Sequence, residues 1–117
     1  MFEKFSVKLR RVIFVARYEA SKLGATAIEP CHLLLGLERE DKNETTRFLA
    51  EHPEVERLRQ HIHPSGTQLP NLSTSVDMPL TPESRQALNA AVVAGGDELE
   101  EVDTIDLLRG LLSVAKG

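Results

Sequence analysis

The sequence predicts an all-α fold, and three observations on its 117 residues support that prediction. Apolar residues recur at steps of three and four. No segment alternates between polar and apolar residues for long enough to form a strand. Hydroxyl residues and prolines precede the periodic segments and glycines follow them, as is typical where helices start and stop. With 41% hydrophobic and 27% charged residues, the composition is that of one globular domain.

The first helix has the clearest pattern. Ser6 precedes it, and a serine hydroxyl at that place can accept a hydrogen bond from an amide of the first turn. Gly24 follows it and suits a left-handed C-terminal cap. The apolar residues between these ends share one face of a 3.6-residue helix: they are Phe5, Leu9, Val12, Ile13, Ala16, Ala20 and Leu23.

Three more helices are predicted before residue 63. Pro30 opens the second, because a missing N–H is harmless in the first turn, and the near-continuous apolar run that follows it indicates burial on most sides. Asn43 is expected to cap the third. Pro53 opens the fourth, whose buried side carries Val55, Leu58 and Ile62.

The second half follows a linker, residues 64–79, which holds three prolines and no apolar period. Helix returns at residues 81–83, where Thr-Pro-Glu combines a capping hydroxyl, a proline and an early acid. This helix is expected to end at residues 95–96, both glycines. A last helix begins near Asp103 or Thr104.

The second half also repeats the first. A shift of 75 positions places Phe5 on Leu80 and preserves the apolar stripe of the first helix. We therefore predict two pseudo-symmetric helical repeats, residues 1–63 and a shortened copy at residues 80–117. Two interpretations of the shortened copy stay open: the chain is part of a longer one, or the module is short and leaves an apolar edge. In the second case that edge is expected to take a partner or to support self-association.

Two glycines recur at equivalent places in the repeats. A shift of 74 positions places Ile28 on Val102 and Gly36 on Gly110. Glycine inside a helix costs on the order of 1 kcal/mol relative to alanine. Its recurrence predicts a close approach of helix backbones, which we place across the pseudo-twofold axis.

The charge of the chain is modest in total and unevenly distributed. A formal net charge of -4 disfavours general nucleic-acid binding. Residues 1–22 carry six basic groups and two acids, whereas residues 97–106 carry six acids and no base. Two interpretations of the acidic segment stay open, a solvated face or a docking patch for a basic peptide.

Several classes of protein are disfavoured. No Gly-x-x-x-x-Gly-Lys-Ser/Thr loop is present to hold a nucleotide, and no cofactor is predicted. The longest apolar run, residues 33–37, is too short to cross a membrane. One cysteine and no visible secretory signal favour the cytoplasm.

Cys31 and His32 are the candidates for metal or nucleophilic chemistry. Zinc needs three or four converging ligands, and no paired ligand spacing is present. Neighbouring side chains on a helix diverge by about 100°, so His32 is poorly placed to activate Cys31. We expect Cys31 to be a core residue, with no catalytic group and no metal, and keep a small hydrolase as the weakest hypothesis.

Three segments carry a resemblance to a known family. They are residues 1–6, residues 19–24 and, above all, residues 28–37, Ile-Glu-Pro-Cys-His-Leu-Leu-Leu-Gly-Leu. Together they resemble the Clp amino-terminal repeat domain of the ClpA and ClpC type of ATPase. The resemblance implies two four-helix repeats, of which this chain would hold about six helices. It also implies a domain that catalyses nothing and receives adaptors or substrates.

The resemblance also points to candidate binding residues. In some family members a glutamate in each repeat, with a hydroxyl near the first helix, recognises phosphoarginine. This chain has Cys31 and Ile105 at the glutamate positions, so that role is not expected. The hydroxyls persist, and two nearby acids are candidate substitutes for the glutamates. Independently of the resemblance, a phenylalanine outside the stripe either anchors a partner or closes the base of the core. The predicted partner-binding residues are Phe2, Ser6, Glu29, Thr81 and Asp103.

Two functions follow from these observations. The first is a non-enzymatic module that recognises adaptor or substrate proteins for a Clp-type AAA+ unfoldase and its protease. The alternative is a free-standing structural or regulatory subunit that docks on a Clp protease assembly. Neither uses nucleic acid or a membrane.

Overall fold

The computed structural model describes residues 4–62, 78–95 and 101–116, and their regular elements are helices, which confirms the all-α prediction. Phe2, residue 96 and the linker up to residue 77 lie outside these residues. No described helix has the length and apolar character needed to cross a bilayer. The elements are α1 Val7–Lys22, α2 Pro30–Glu40, α3 Lys42–Glu51, α4 Pro53–Glu56, a 3₁₀ turn at Arg57–His61, α5 Pro82–Gly95 and α6 Thr104–Lys116.

Helix α1 begins and ends as the sequence predicts. The Ser6 hydroxyl accepts a hydrogen bond from the Leu9 amide at 3.0 Å. Gly24 has a φ of 78°, the left-handed conformation that favours glycine. The Ala25 amide donates to the Ala20 carbonyl at 2.9 Å, which closes the last turn.

Two predictions between residues 41 and 62 are wrong in detail. Asp41, rather than Asn43, precedes α3, because this one residue both ends α2 and begins α3. The fourth helix lasts only four residues before it tightens into the 3₁₀ turn. Val55 is buried as predicted, whereas Leu58 and Ile62 are only partly buried.

The two recurring glycines bring helix backbones together within each repeat. A Cβ atom on Gly36 would overlap the carbonyl oxygen of Val12 in α1, and one on Gly110 would overlap that of Ala87 in α5. The predicted close approach is confirmed, but its placement across the pseudo-twofold axis is wrong. Gly36 therefore lies at the contact of α1 with α2, and Gly110 at the contact of α5 with α6, where the absence of a side chain lets the helix backbones approach.

The two repeats are joined where their helices start. Phe5 forms an isolated parallel bridge with Val102, and Ile28 forms another with Leu80. The shifts of 75 and 74 positions exchange these two bridges, so they are symmetry equivalents. In each, the start of a repeat's first helix meets the start of the other repeat's second helix. One continuous core therefore runs through both repeats.

Candidate partner-binding site

The first contact between the repeats, here named the α1–α6 seam, joins residues 4–6 to residues 102–104. The Ser6 amide donates to the Val102 carbonyl at 2.9 Å, and the Val102 amide donates to the Lys4 carbonyl at 2.8 Å. The Ser6 hydroxyl donates to Asp103 Oδ1 at 2.9 Å. Two of the predicted binding residues, Ser6 and Asp103, are therefore in direct contact.

The Asp103 carboxylate is held in place by a second hydrogen bond. Its Oδ1 also accepts from the Thr104 amide at 2.8 Å, at the start of α6, where the helix dipole favours a negative charge. The Thr104 hydroxyl donates to Asp41 at 2.8 Å, and Lys8 Nζ lies 3.7 Å from the same Asp41 oxygen. Asp103 itself is exposed. The seam thus presents a fixed anion to solvent.

The symmetry-related contact, the α2–α5 seam, joins residues 28–29 to residues 79–84. The Ile28 amide donates to the Pro79 carbonyl at 2.8 Å, and the Thr81 amide donates to the Ile28 carbonyl at 3.0 Å. The Thr81 hydroxyl pairs with Ser84, accepting from its amide at 3.2 Å and donating to its Oγ at 3.1 Å. It is therefore directed to its own helix, whereas Ser6 reaches the other repeat.

Ser84 was missed by the sequence reasoning. It is fully buried and its hydroxyl donates to the Ile28 carbonyl at 2.8 Å. It occupies the position that Leu9 holds in repeat one. The available signal was this hydroxyl at a core position of the stripe, because a buried hydroxyl needs a hydrogen-bond partner.

His32 and Asp106 occupy equivalent places at the starts of α2 and α6, and each accepts a hydrogen bond from a backbone amide there. His32 Nδ1 accepts from the Glu29 amide at 2.9 Å, and Asp106 Oδ2 accepts from the Asp103 amide at 2.9 Å. His32 is 3% exposed, and burial lowers its pKa below the ordinary 6.5, although the charges of Glu29 and Glu19 act in the opposite direction. Because Nδ1 accepts this hydrogen bond, the imidazole is in its neutral form with the proton on Nε2.

Glu29, Cys31 and His32 bring three metal-ligating atoms within 4.8 Å of one another. Burial, helped by the charge of Glu29, raises the pKa of the Cys31 thiol to about 11, so the thiol keeps its proton near neutral pH. His32 uses Nδ1 in the helix cap. A metal ion would have to displace the thiol proton and break that cap, so the arrangement fits core and capping roles better. The same neutral thiol is a poor nucleophile.

Comparison with known protein families identifies the family to which this fold belongs. The family model described as the Clp repeat (R) N-terminal domain matches residues 4–117. This chain belongs to that family.

Three relatives illustrate the match. The chloroplastic chaperone proteins ClpD2 and ClpD1 of Oryza sativa subsp. japonica are each 30% identical to the chain, over 96 and 100 residues. Each alignment covers 79% of the Clp N chain and only 10% and 11% of the relative, respectively. The N-terminal domain of the caseinolytic protease associated chaperone ClpD from Arabidopsis thaliana has a TM-score of 0.69 at 25% identity, covering 97% of this chain and 79% of that one.

Within this Clp N domain, a cleft of about 430 Å³ opens beside the α2–α5 seam. Its walls include Glu29, Cys31, His61 and Glu83, together with apolar groups near the end of α6. The volume lies in the range of small-ligand pockets. Two carboxylates on its walls favour a cationic group.

The predicted residues thus fall on two related surfaces. Ser6 and Asp103 meet at the α1–α6 seam. Thr81 and Glu29 lie on the α2–α5 seam, where the Thr81 hydroxyl pairs with Ser84. Phe2 is outside the described residues. Ile105, at one of the family's glutamate positions, is partly buried against the core.

Proposed function

We propose that this Clp N domain is a non-catalytic module that recognises adaptor or substrate proteins for a Clp-type AAA+ unfoldase. The observation that carries the proposal is the exposed Asp103 carboxylate, held by Ser6 and by the start of α6. A carboxylate that is already oriented loses little further freedom when it binds a guanidinium or ammonium group. The expected partner therefore offers an arginine or lysine at this seam.

The cleft beside the α2–α5 seam supports the proposal as a second contact. Glu29 and Glu83 line it, and Leu58 adds apolar surface. A long cationic side chain can place its methylene groups against apolar walls and its charge near the carboxylates. Related acidic contacts at both seams would let one partner engage both repeats.

ATP hydrolysis and proteolysis are proposed to belong to other domains or subunits of a Clp assembly. The chain spans about a tenth of the length of the ClpD relatives that it matches. A cytoplasmic location is proposed as well. The ClpD relatives, by contrast, are named as chloroplastic.

Affinity capture with the full chain tests the proposal. Asp103→Asn removes the charge but keeps an oxygen that can accept from Ser6 and Thr104. Glu101→Gln, a change at another exposed acid two residues away, is the matched control. The wild type and the control should retain the same adaptor or substrate proteins, quantified by mass spectrometry, and Asp103→Asn should lose them.

Two results would count against this function. Identical captured sets for Asp103→Asn and Glu101→Gln would remove Asp103 from recognition. Capture of Clp protease subunits alone, without adaptors or substrates, would favour the accessory-subunit alternative.

A further inference from the structure

The side of α1 that faces away from the core carries an exposed apolar and cationic row. Val7, Phe14 and Tyr18 are 64%, 63% and 44% exposed. Arg11 and Lys22 are exposed as well. These five residues follow one another at steps of four, three, four and four, so they share one face of the helix. We name this row the α1 outer stripe.

Positive charge dominates the surface around the stripe. Helix α1 contains five basic residues and one acid, Glu19. Glu19 is 7% exposed and forms an ion pair with Arg39 of α2, with 2.8 Å between Oε1 and Nε. Lys22 Nζ lies 5.8 Å from the centre of the Tyr18 ring, a cation–π contact. The exposed side of α1 therefore offers aromatic area and cations with no exposed acid.

The fold does not require this composition, and repeat two provides the comparison. At the positions equivalent to the first four stripe residues, helix α5 carries Pro82, Gln86, Asn89 and Val93, all exposed and none charged or aromatic. The equivalent of Lys22 is residue 97, which lies outside the described residues. Both helices use the same core spacing and the same glycine contact. The packing that the two repeats share therefore does not require Arg11, Phe14 or Tyr18 of α1.

We infer that the α1 outer stripe docks an acidic amphipathic helix of a partner protein. The apolar side chains of the stripe can pack against the apolar row of a second helix. Its cations, Arg11 and Lys22, can pair with aspartates and glutamates beside that row. The stripe is about 22 Å long at 1.5 Å per residue, which matches roughly four turns of a partner helix. The inference rests on the proposed function and adds the chemistry of one partner segment.

Charge disfavours two other occupants. A second copy docked through the same face would oppose cations with cations, because a twofold interface uses one patch twice. An anionic bilayer would attract α1 but repel a chain whose net charge is -4.

Two synthetic peptides of roughly four helical turns test the inference, with the same leucine stripe and flanks of either glutamate or lysine. Fluorescence anisotropy with the full chain should show binding of the glutamate peptide only. Phe14→Ala with Tyr18→Ala should weaken that binding at least about tenfold, as for central aromatic contacts, and Arg11→Glu should do the same. The matched controls Asn89→Ala and Gln86→Glu, at the equivalent positions of α5, should bind as the wild type does.

Several results would overturn the inference. Equal affinity for both peptides, or full affinity in the Phe14→Ala, Tyr18→Ala variant, would do so. So would sedimentation as a dimer that Phe14→Ala dissociates, or binding to phosphatidylglycerol vesicles without binding to the peptide. If the wild type does not bind the glutamate peptide while capture of partner proteins still depends on Asp103, only this inference fails. If the glutamate peptide binds and Asp103→Asn captures the same proteins as the wild type, the proposal for the α1–α6 seam fails instead.

Discussion

Ser6 Oγ and Asp103 Oδ1, which are 97 positions apart in the sequence, are joined by a 2.9 Å hydrogen bond. The same hydroxyl caps α1 through the Leu9 amide, and the same carboxylate oxygen accepts from the first amide of α6. One bond therefore links the start of the first helix to the start of the last. This arrangement makes the seam both a structural joint and a candidate binding surface.

Replacing Ser6 by alanine should destabilise the domain by about 1–2 kcal/mol, because it removes a helix cap and leaves Asp103 without this donor. Urea unfolding followed by circular dichroism measures the effect. Ser113→Ala, at an exposed position in α6, serves as the control and should change stability by less than about 0.5 kcal/mol. Equal midpoints for the two variants would mean that the bond contributes little.

Replacing Gly36 by alanine should cost at least about 2 kcal/mol, because the new methyl group would overlap the Val12 carbonyl and separate α1 from α2. Gly110→Ala should destabilise the domain in the same way, because its methyl group would overlap the Ala87 carbonyl. Thermal unfolding checks both, with Asn89→Ala as the control for adding alanine to a helix. A neutral Gly36→Ala would contradict the close approach of the two backbones.

Stability should decline as the pH falls below about 6.5, the ordinary pKa of histidine. Burial lowers the pKa of His32 in the folded state, so the unfolded chain binds the proton more readily over that range, and acid favours unfolding. Protonation also removes the acceptor of the Glu29 amide. Denaturant midpoints between about pH 7.5 and 5.5 measure the slope.

His32→Asn is the informative variant for this pH dependence. Its side-chain oxygen can still accept from the Glu29 amide, but it does not titrate. The slope between neutral and mildly acidic pH should therefore flatten, even if the smaller side chain lowers stability throughout. An unchanged slope would assign the pH dependence to other groups.

The Cys31 thiol should be nearly inert in the folded protein. It is 1% exposed, and burial together with the charge of Glu29 raises its pKa to about 11. A colorimetric disulfide reagent at mildly alkaline pH should label it fully in denaturant and only slowly without denaturant. Fast labelling of the native protein would reopen the hydrolase hypothesis.

Much of the fold was accessible to sequence reasoning because its signals are local. Ser6, Gly24 and Pro30 act on amides within one turn, so they marked the ends of α1 and the start of α2 correctly. The segment from 41 to 62, where local helix signals are weaker, was predicted less well. There, Asp41 serves two helices at once, and no local propensity indicates that choice.

The sequence alone determined an all-α chain with two copies of a helical pair, since helix periodicity, caps and repetition depend on neighbours a few residues apart. Only the tertiary structure decided that Gly36 packs within its own repeat and that Ser6 meets Asp103. It also decided that the hydroxyl of Thr81 is directed to Ser84. Such contacts join segments far apart along the chain, and their partners are fixed by how whole helices pack.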